Sequence, residues 1–267
     1  MSVARGFNLN GKQAKALAAL IVVLIAGALG IGGNSLESIV HQLGLPSSTT
    51  ETQRDEQRET TAATTLANIP AYTGEPYIFI AADDSYPQGT PTFTQSEIGR
   101  AERGAFESYS PLDSLGRCGT ALACVGEETM PTTERGDISE IHPSGWRQHF
   151  YDFVDQEALY NRCHLIARSL SGEDANAQNL ITGTRYMNTQ GMLPFEEDTV
   201  AYIRRTGNHV LYRATPMFEG DNLVASGVHL EARSVEDDGA GICFNVYCYN
   251  VEPGVGIDYG TGNNWAA

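Results

Sequence analysis

The apolar residues of this chain fall into three regimes. From Ala16 to Gly33 they run unbroken as ALAALIVVLIAGALGIGG, 18 residues without a charge. A run of that length behind Arg5, Lys12 and Lys15 predicts a membrane-targeting segment, with its basic side staying cytoplasmic. Two forms of it are open. It is long enough for a retained anchor, and Ala26-Gly27-Ala28 offers the small-x-small pattern of a cleaved signal peptide. Next, Ser35–Leu45 sets Leu36, Ile39, Val40 and Leu43 on one side of a short amphipathic helix, with His41 at its surface. Residues 47–68 then hold almost no large apolar group. Such a stretch cannot bury enough surface to offset its ordering entropy, which predicts a flexible linker. The chain thus divides into a targeting segment (1–34), a Thr/Glu-rich linker (35–70) and a folded body (71–267).

Within the body the pattern becomes that of a packed domain. Tyr77-Ile78-Phe79-Ile80 predicts an opening strand, and residues 94–108 a short helix capped by Thr or Ser. Residues 109–146, with the turns SPLD, GRCG, MPTTERG and HPSG, predict long ordered loops with short strands. Phe150–Val154 and Leu159–Ile166 read as strands. Arg185–Thr206 reads as helix, interrupted near Gly191 and Pro194, with Phe195, Val200, Tyr202 and Ile203 as core contacts. His209–Met217, Leu223–Ser234 and Ile242–Val251 alternate as three strands of an antiparallel meander. The predicted class is α+β, a helix packed on an antiparallel sheet.

Charge narrows the function. Residues 1–70 carry five basic and five acidic groups, whereas residues 71–267 carry twelve arginines against 28 acidic side chains. The whole net charge of −16 therefore sits on the body, which excludes the usual basic nucleic-acid binder. Polyanions could be handled only through a metal ion or a local arginine cluster. Of five cysteines, Cys118 and Cys124 bracket a short Gly/Ala segment and suit a small-loop disulfide. Cys243 and Cys248 should face opposite sides of one strand. Cys163 reads as a buried small hydrophobe.

Candidate chemistry concentrates in Tyr160–Glu196, YNRCHLIARSLSGEDANAQNLITGTRYMNTQGMLPFE. Imidazole is the side chain best placed to take a proton from water near neutral pH. Arg162 and Arg168 flank His164 as forked phosphate binders. Carboxamide oxygen suits Mg²⁺, which keeps most of its waters. A lone strand histidine is nonetheless most often a satisfied core residue, so composition alone makes this a weak metal-assisted phosphodiesterase.

The segment resembles the DNA/RNA non-specific endonucleases, the ββα-metal or His-Me finger nucleases, whose Asp-Arg-Gly-His motif stands here as Asn161-Arg162-Cys163-His164. It is most similar to the branch of the streptococcal membrane-bound competence nuclease and the secreted streptodornases. YSPLDSLGRCG, MPTTERG, HPSGW, QNLITGTRYMN, TPMFEGDNLVASGVHLEA and FNVYCYNVEPGVGIDYGTG extend the likeness over residues 77–262. The resemblance implies an antiparallel sheet core with a ββα-metal motif and long ordered loops. It implies Mg²⁺, with Mn²⁺ as a substitute, and DNA, with RNA as a further substrate, bound through the backbone. It makes His164 the general base and Asn188 the direct metal ligand. Glu196 would act on the metal through water, Asn179 would order the site, and Arg162 would be the motif arginine. The implied reaction leaves 5′-phosphate ends.

Two motif positions depart from the family. Asn161 loses a charge, and Cys163 replaces a glycine. Val200 occupies the position where some relatives carry an arginine. Arg168, Arg185, Arg204 and Arg205 are the candidate phosphate contacts, while His142, His149, His209 and His229 read as packing or surface residues. The rival reading is a cell-surface module that captures DNA without cutting it. A toxin delivered to competitors is a third, against which the apolar N-terminal segment weighs.

Overall fold

The computed structural model describes residues 64–267. The targeting segment, the Ser35–Leu45 helix and most of the linker lie outside the described residues. Leu66–Asn68 forms a single 3-10 turn, and two residues later the Pro70 carbonyl accepts a 2.9 Å hydrogen bond from the Tyr249 hydroxyl.

Ten strands occur among the described residues: β1 (Tyr77–Phe79), β2 (Phe106–Tyr109), β3 (Ala121–Val125), β4 (Tyr160–His164), β5 (Leu180–Thr184), β6 (Val210–Met217), β7 (Gly227–Ser234), β8 (Cys243–Tyr249), β9 (Val255–Ile257) and β10 (Asn264–Ala266). Six of them form one antiparallel sheet in the order β1-β8-β7-β6-β3-β2. β4 pairs with β5, and β9 with β10, as separate two-stranded units. The helices are α1 (Gln95–Ala101), α2 (Arg168–Ser171) and α3 (Leu193–Thr206). The α+β architecture is the one expected, and the expected meander is β6-β7-β8.

Alternation builds the core. Val210, Tyr212 and Ala214, then Val228, Leu230 and Ala232, then Phe244, Val246 and Cys248 all point to one face of the sheet and are buried. Met187, Met192, Phe195, Tyr202 and Ile203 from the helix, with Cys163 and Ile181 from β4 and β5, pack into the same cluster. Burying each large apolar side chain contributes about 1.5–3 kcal/mol, so this face seats the β4-β5-helix unit firmly. The opposite face is smaller. There α1, fixed by a capping box between Thr94 and Glu97, covers Cys124 and Leu211 through Ala101. Beside it Arg213 bridges buried Glu231 at 2.6 Å and Glu97 at 3.0 Å.

Several expectations are corrected. The helix expected over 94–108 ends at Ala101, because Gly104 turns the backbone to φ +121° and the chain continues as β2. Phe150–Val154 is not a strand. It has no sheet edge to pair with beyond a single bridge from Phe150 to Ala158, and it folds on itself through Val154 N–H to the Tyr151 carbonyl. Of its apolar residues only Val154 is buried, while Phe150 and Phe153 are exposed. Cys118 and Cys124 are not joined. Cys118 faces the larger cluster and Cys124 the smaller one, on opposite sides of the sheet. Cys248 is buried in the larger cluster and Cys243 lies on the other side of β8, as expected.

The helix expected to break near Pro194 instead widens. It starts directly after β5 and runs as a π-helix over Met187–Met192 before α3. Proline has no N–H to return to the carbonyl four residues back. The preceding Leu193 N–H reaches five residues back, to the Asn188 carbonyl, and the ladder continues.

Cys163, where the family motif has glycine, needs no left-handed backbone, and its side chain is buried. Gly183 on β5 makes the room: a Cβ there would stand 2.4 Å from Cys163 Sγ and 2.6 Å from Met187 Cε. Gly183→Ala should therefore lower unfolding free energy by about 1–3 kcal/mol through overpacking. Urea denaturation checks this, and Cys163→Ala in the same chain should recover part of the loss.

Candidate active site

β4, the start of α2 and the helix that follows β5 line one side of a cavity of about 580 Å³. Arg162 and His164 line it from β4, Arg168 from α2, Arg185 and Asn188 from the start of the helix, and Glu196 from the first turn of α3. Six of the nine residues singled out by sequence thus meet at one place, although 34 positions separate the first from the last. Asn179, Arg204 and Arg205 do not line it. The lining holds four arginines and one acidic side chain, the local reversal of charge that an acidic protein would need to accept a polyanion.

His164 ends β4 and is 8% exposed. Its Nε2 lies 3.1 Å from the Asp174 backbone oxygen. A carbonyl only accepts, so Nε2 carries the proton and Nδ1 keeps its lone pair. Burial pushes the imidazole pKa below its usual 6.5, and the Arg135 charge pushes it the same way. His164 is therefore a neutral base at neutral pH. Asp174 is itself held in place: Arg168 Nε donates to its carboxylate at 2.5 Å, and that bond and the adjacent Gly136 backbone lower its pKa.

Asn188 and Glu196 differ from the other polar groups of the cavity. Neither side chain has a hydrogen-bond partner among the described residues, although both are partly buried. Desolvation, aided by the neighbouring Glu197 charge, raises the Glu196 carboxyl to about 8. A carboxamide oxygen and a carboxyl group, which gives up its proton beside a bound cation, are hard donors, and the cavity leaves room for water beside them. Among the described residues no three His, Cys, Asp or Glu side chains cluster to hold a metal. That donor set fits a cation such as Mg²⁺, which retains most of its waters and takes few protein ligands.

The arginines expected to meet phosphate are mostly engaged. Arg162 donates at 2.5 Å to both the Ile141 and the Ser139 carbonyls and lies 4.4 Å over the Trp146 ring. Arg168 donates to the Thr133 carbonyl at 2.8 Å as well as to Asp174. Arg185 pairs with Asp155 at 2.8 Å. Arg204 and Arg205 are exposed in the last turn of α3. Asn179 is fully buried. Its Oδ1 accepts the Ile166 N–H at 2.9 Å and its Nδ2 donates to the Ile166 carbonyl at 3.0 Å, which pins the backbone just past His164. Asn161 Nδ2 is buried without a partner among the described residues. Arg135, Trp146 and Tyr160 line the cavity and were not foreseen, because they come from loops and a strand start that carry no periodic signal.

The family model for the DNA/RNA non-specific endonuclease matches residues 96–236, more than half of the chain, and spans both walls of this cavity. The chain belongs to the DNA/RNA non-specific endonuclease family. It is therefore a nuclease, of a metal-dependent family that acts on nucleic acid. Solved structures agree with that placement. NucA from Streptococcus agalactiae, in a structure with magnesium ion bound, is 22% identical with a TM-score of 0.60, over 82% of this chain and 97% of that one. NucA with no metal bound gives the same figures for identity and TM-score. The Sda1 nuclease with bound zinc ion is 27% identical with a TM-score of 0.53, over 61% of this chain and 82% of that one. No curated protein matches this endonuclease.

Asn179→Ala would orphan the Ile166 N–H and carbonyl in the interior, each at about 1–3 kcal/mol. The endonuclease variant should lose stability of that order in chemical denaturation. Arg204→Ala and Arg205→Ala should each change DNA cleavage less than about twofold, since neither reaches the cavity and solvated surface positions tolerate substitution.

Proposed function

We propose that this endonuclease hydrolyses phosphodiester bonds of DNA without reading sequence, leaving 5′-phosphate ends, with His164 as general base. The observation that carries the reading is the His164 Nε2–Asp174 hydrogen bond. It leaves a neutral imidazole with Nδ1 as acceptor in the cavity that also holds the unpartnered Asn188 and Glu196. Asn188 would hold a divalent cation directly, Mg²⁺ with Mn²⁺ as substitute, and Glu196 would hold it through water. When bound, such an ion supplies positive charge to the phosphoryl group and to the departing 3′ oxygen.

The chain's own residues do the rest. His164 removes a proton from the attacking water. The Asp174 carbonyl keeps the ring in the tautomer that can do so and stabilises the imidazolium that results. Asn179 is a positioning residue, acting through Ile166 on the turn after His164. Arg162, Arg168 and Arg185 add positive charge to the cavity while their hydrogen bonds are spent on protein groups. Contacts to the backbone carry no base information, which fits cleavage of any sequence, and RNA enters the assay as a second substrate.

The proposal extends to placement. Residues 16–33 would anchor the chain, 35–70 would tether it, and 71–267 would act at the outer face of the membrane. The uncharged apolar run and its basic flank support this. Among the described residues no helix is long and apolar enough to cross a membrane. Cleavage near Ala28 would instead release the enzyme, and N-terminal sequencing of the mature chain separates the two.

Supercoiled plasmid with Mg²⁺, with Mn²⁺ and with chelator tests the chemistry. His164→Ala should lose about 10²–10⁴-fold in rate while keeping its fold. Asn188→Ala should be inactive at Mg²⁺ concentrations that saturate the unaltered enzyme. Wild-type turnover by His164→Ala would sink the assignment. Because burial lowers the His164 pKa, kcat/KM should hold through pH 6.5 and fall only as pH drops below it, toward the protonated ring.

A further inference from the structure

His209 lies outside the cavity, immediately before β6, with a carboxylate on each side of its ring. Nδ1 stands 2.5 Å from the Glu236 carboxylate and Nε2 2.8 Å from that of Glu128. A carboxylate only accepts, so both ring nitrogens carry a proton and the ring is an imidazolium. The His209 backbone N–H also donates to Glu236, at 2.8 Å. The two carboxylates come from separate parts of the chain. Glu128 belongs to the 3-10 turn Glu127–Thr129 that follows β3, and Glu236 follows β7. A neutral imidazole has one N–H, so it can satisfy one of them and must turn a lone pair on the other.

The turn is packed closely onto the ring: a Cβ on Gly126 would stand 2.7 Å from the imidazole. From β3, Cys124 is the further titratable group near both carboxylates, and burial pushes its thiol up to about 12, so it stays neutral. The Glu236 bond raises the His209 pKa above its usual 6.5, against an opposing effect of burial and with the Glu128 bond adding to it. A raised folded value fixes the sign. The contribution of the charged ring is complete below pH 6.5 and is lost as pH rises through the folded pKa.

The turn that Glu128 belongs to also supports α2. Thr129 Oγ1 donates to the Leu170 carbonyl at 2.6 Å, and two residues later Pro131 already lines the cavity. We propose that His209 is a proton-operated latch: its imidazolium, held between Glu128 and Glu236, fastens the Glu127–Thr129 turn to the sheet, and loss of the proton unfastens that turn beneath α2. The latch is independent of the chemistry assigned to His164, because its three groups lie outside the cavity.

The test uses the full chain as unaltered protein and as His209→Gln and Glu128→Gln. Hydrogen exchange is read by mass spectrometry between about pH 6 and about pH 9, a window that brackets ordinary and raised histidine values. Exchange at the imidazole carbon between the ring nitrogens gives the His209 titration, and backbone exchange, corrected for its intrinsic pH dependence, gives the protection of residues 126–131. The His209 ring of the unaltered chain should titrate above pH 6.5, and Glu128→Gln should move that titration to lower pH. Protection of the turn should fall about two- to fivefold across the window, the range of a partly exposed ion pair. In His209→Gln it should be low at both ends and unchanged between them. A His209 ring that titrates at or below its usual value, turn protection that does not change with pH in the unaltered chain, or the same pH-dependent loss in His209→Gln would each overturn the proposal.

Discussion

The hydrogen bond from His164 Nε2 to the Asp174 carbonyl sets the tautomer of the imidazole that lines this cavity. An imidazole has two nitrogens, and only the one left without a proton can take one. By offering an acceptor to Nε2, the backbone at Asp174 leaves Nδ1 with its lone pair. The carbonyl is in turn kept in place by the Asp174 side chain, whose carboxylate is held by Arg168, itself bonded to the Thr133 carbonyl. A short polar relay therefore connects the ring on β4 with α2 and with the 131–141 loop. The hydrophobic face of the sheet supplies the rigid base under it, through Cys163, Ile181, Met187 and Met192.

The second constraint is electrostatic. A body carrying all of a −16 net charge has to admit a polyanion. Four arginines gather around one cavity with a single glutamate, a local reversal of that charge. Most of these arginines hold protein groups, so they contribute charge and architecture together. The π-helical widening at Met187–Met192 belongs to the same economy of parts. It carries the helix past Pro194 without a break, so that Asn188 on one turn and Glu196 on a later one line the same space.

Much of this was legible in the residues. The meander could be read because β6, β7 and β8 bury alternate side chains against one face, and strict alternation survives in sequence. His164, Asn188 and Glu196 could be named because the motif and the segments around it resemble a family. Local signals misled where a pattern lacked a partner. Phe150–Val154 has the composition of a strand and no edge to join, so it became a turn with exposed rings. Cys118 and Cys124 are close in sequence yet lie on opposite faces of the sheet.

By itself the sequence determined the class of fold, the apolar N-terminal run and the family. These depend on periodicity, composition and residue type, which are properties of the chain read in order. Tertiary structure alone decided which nitrogen of His164 is free, which arginines are already spent, and that an arginine from an irregular loop stands at the rim. Those are questions of who reaches whom across the fold. A guanidinium on β4 and one on α2 look alike in sequence, and only the carbonyls that come within 3 Å of them determine that they hold a loop.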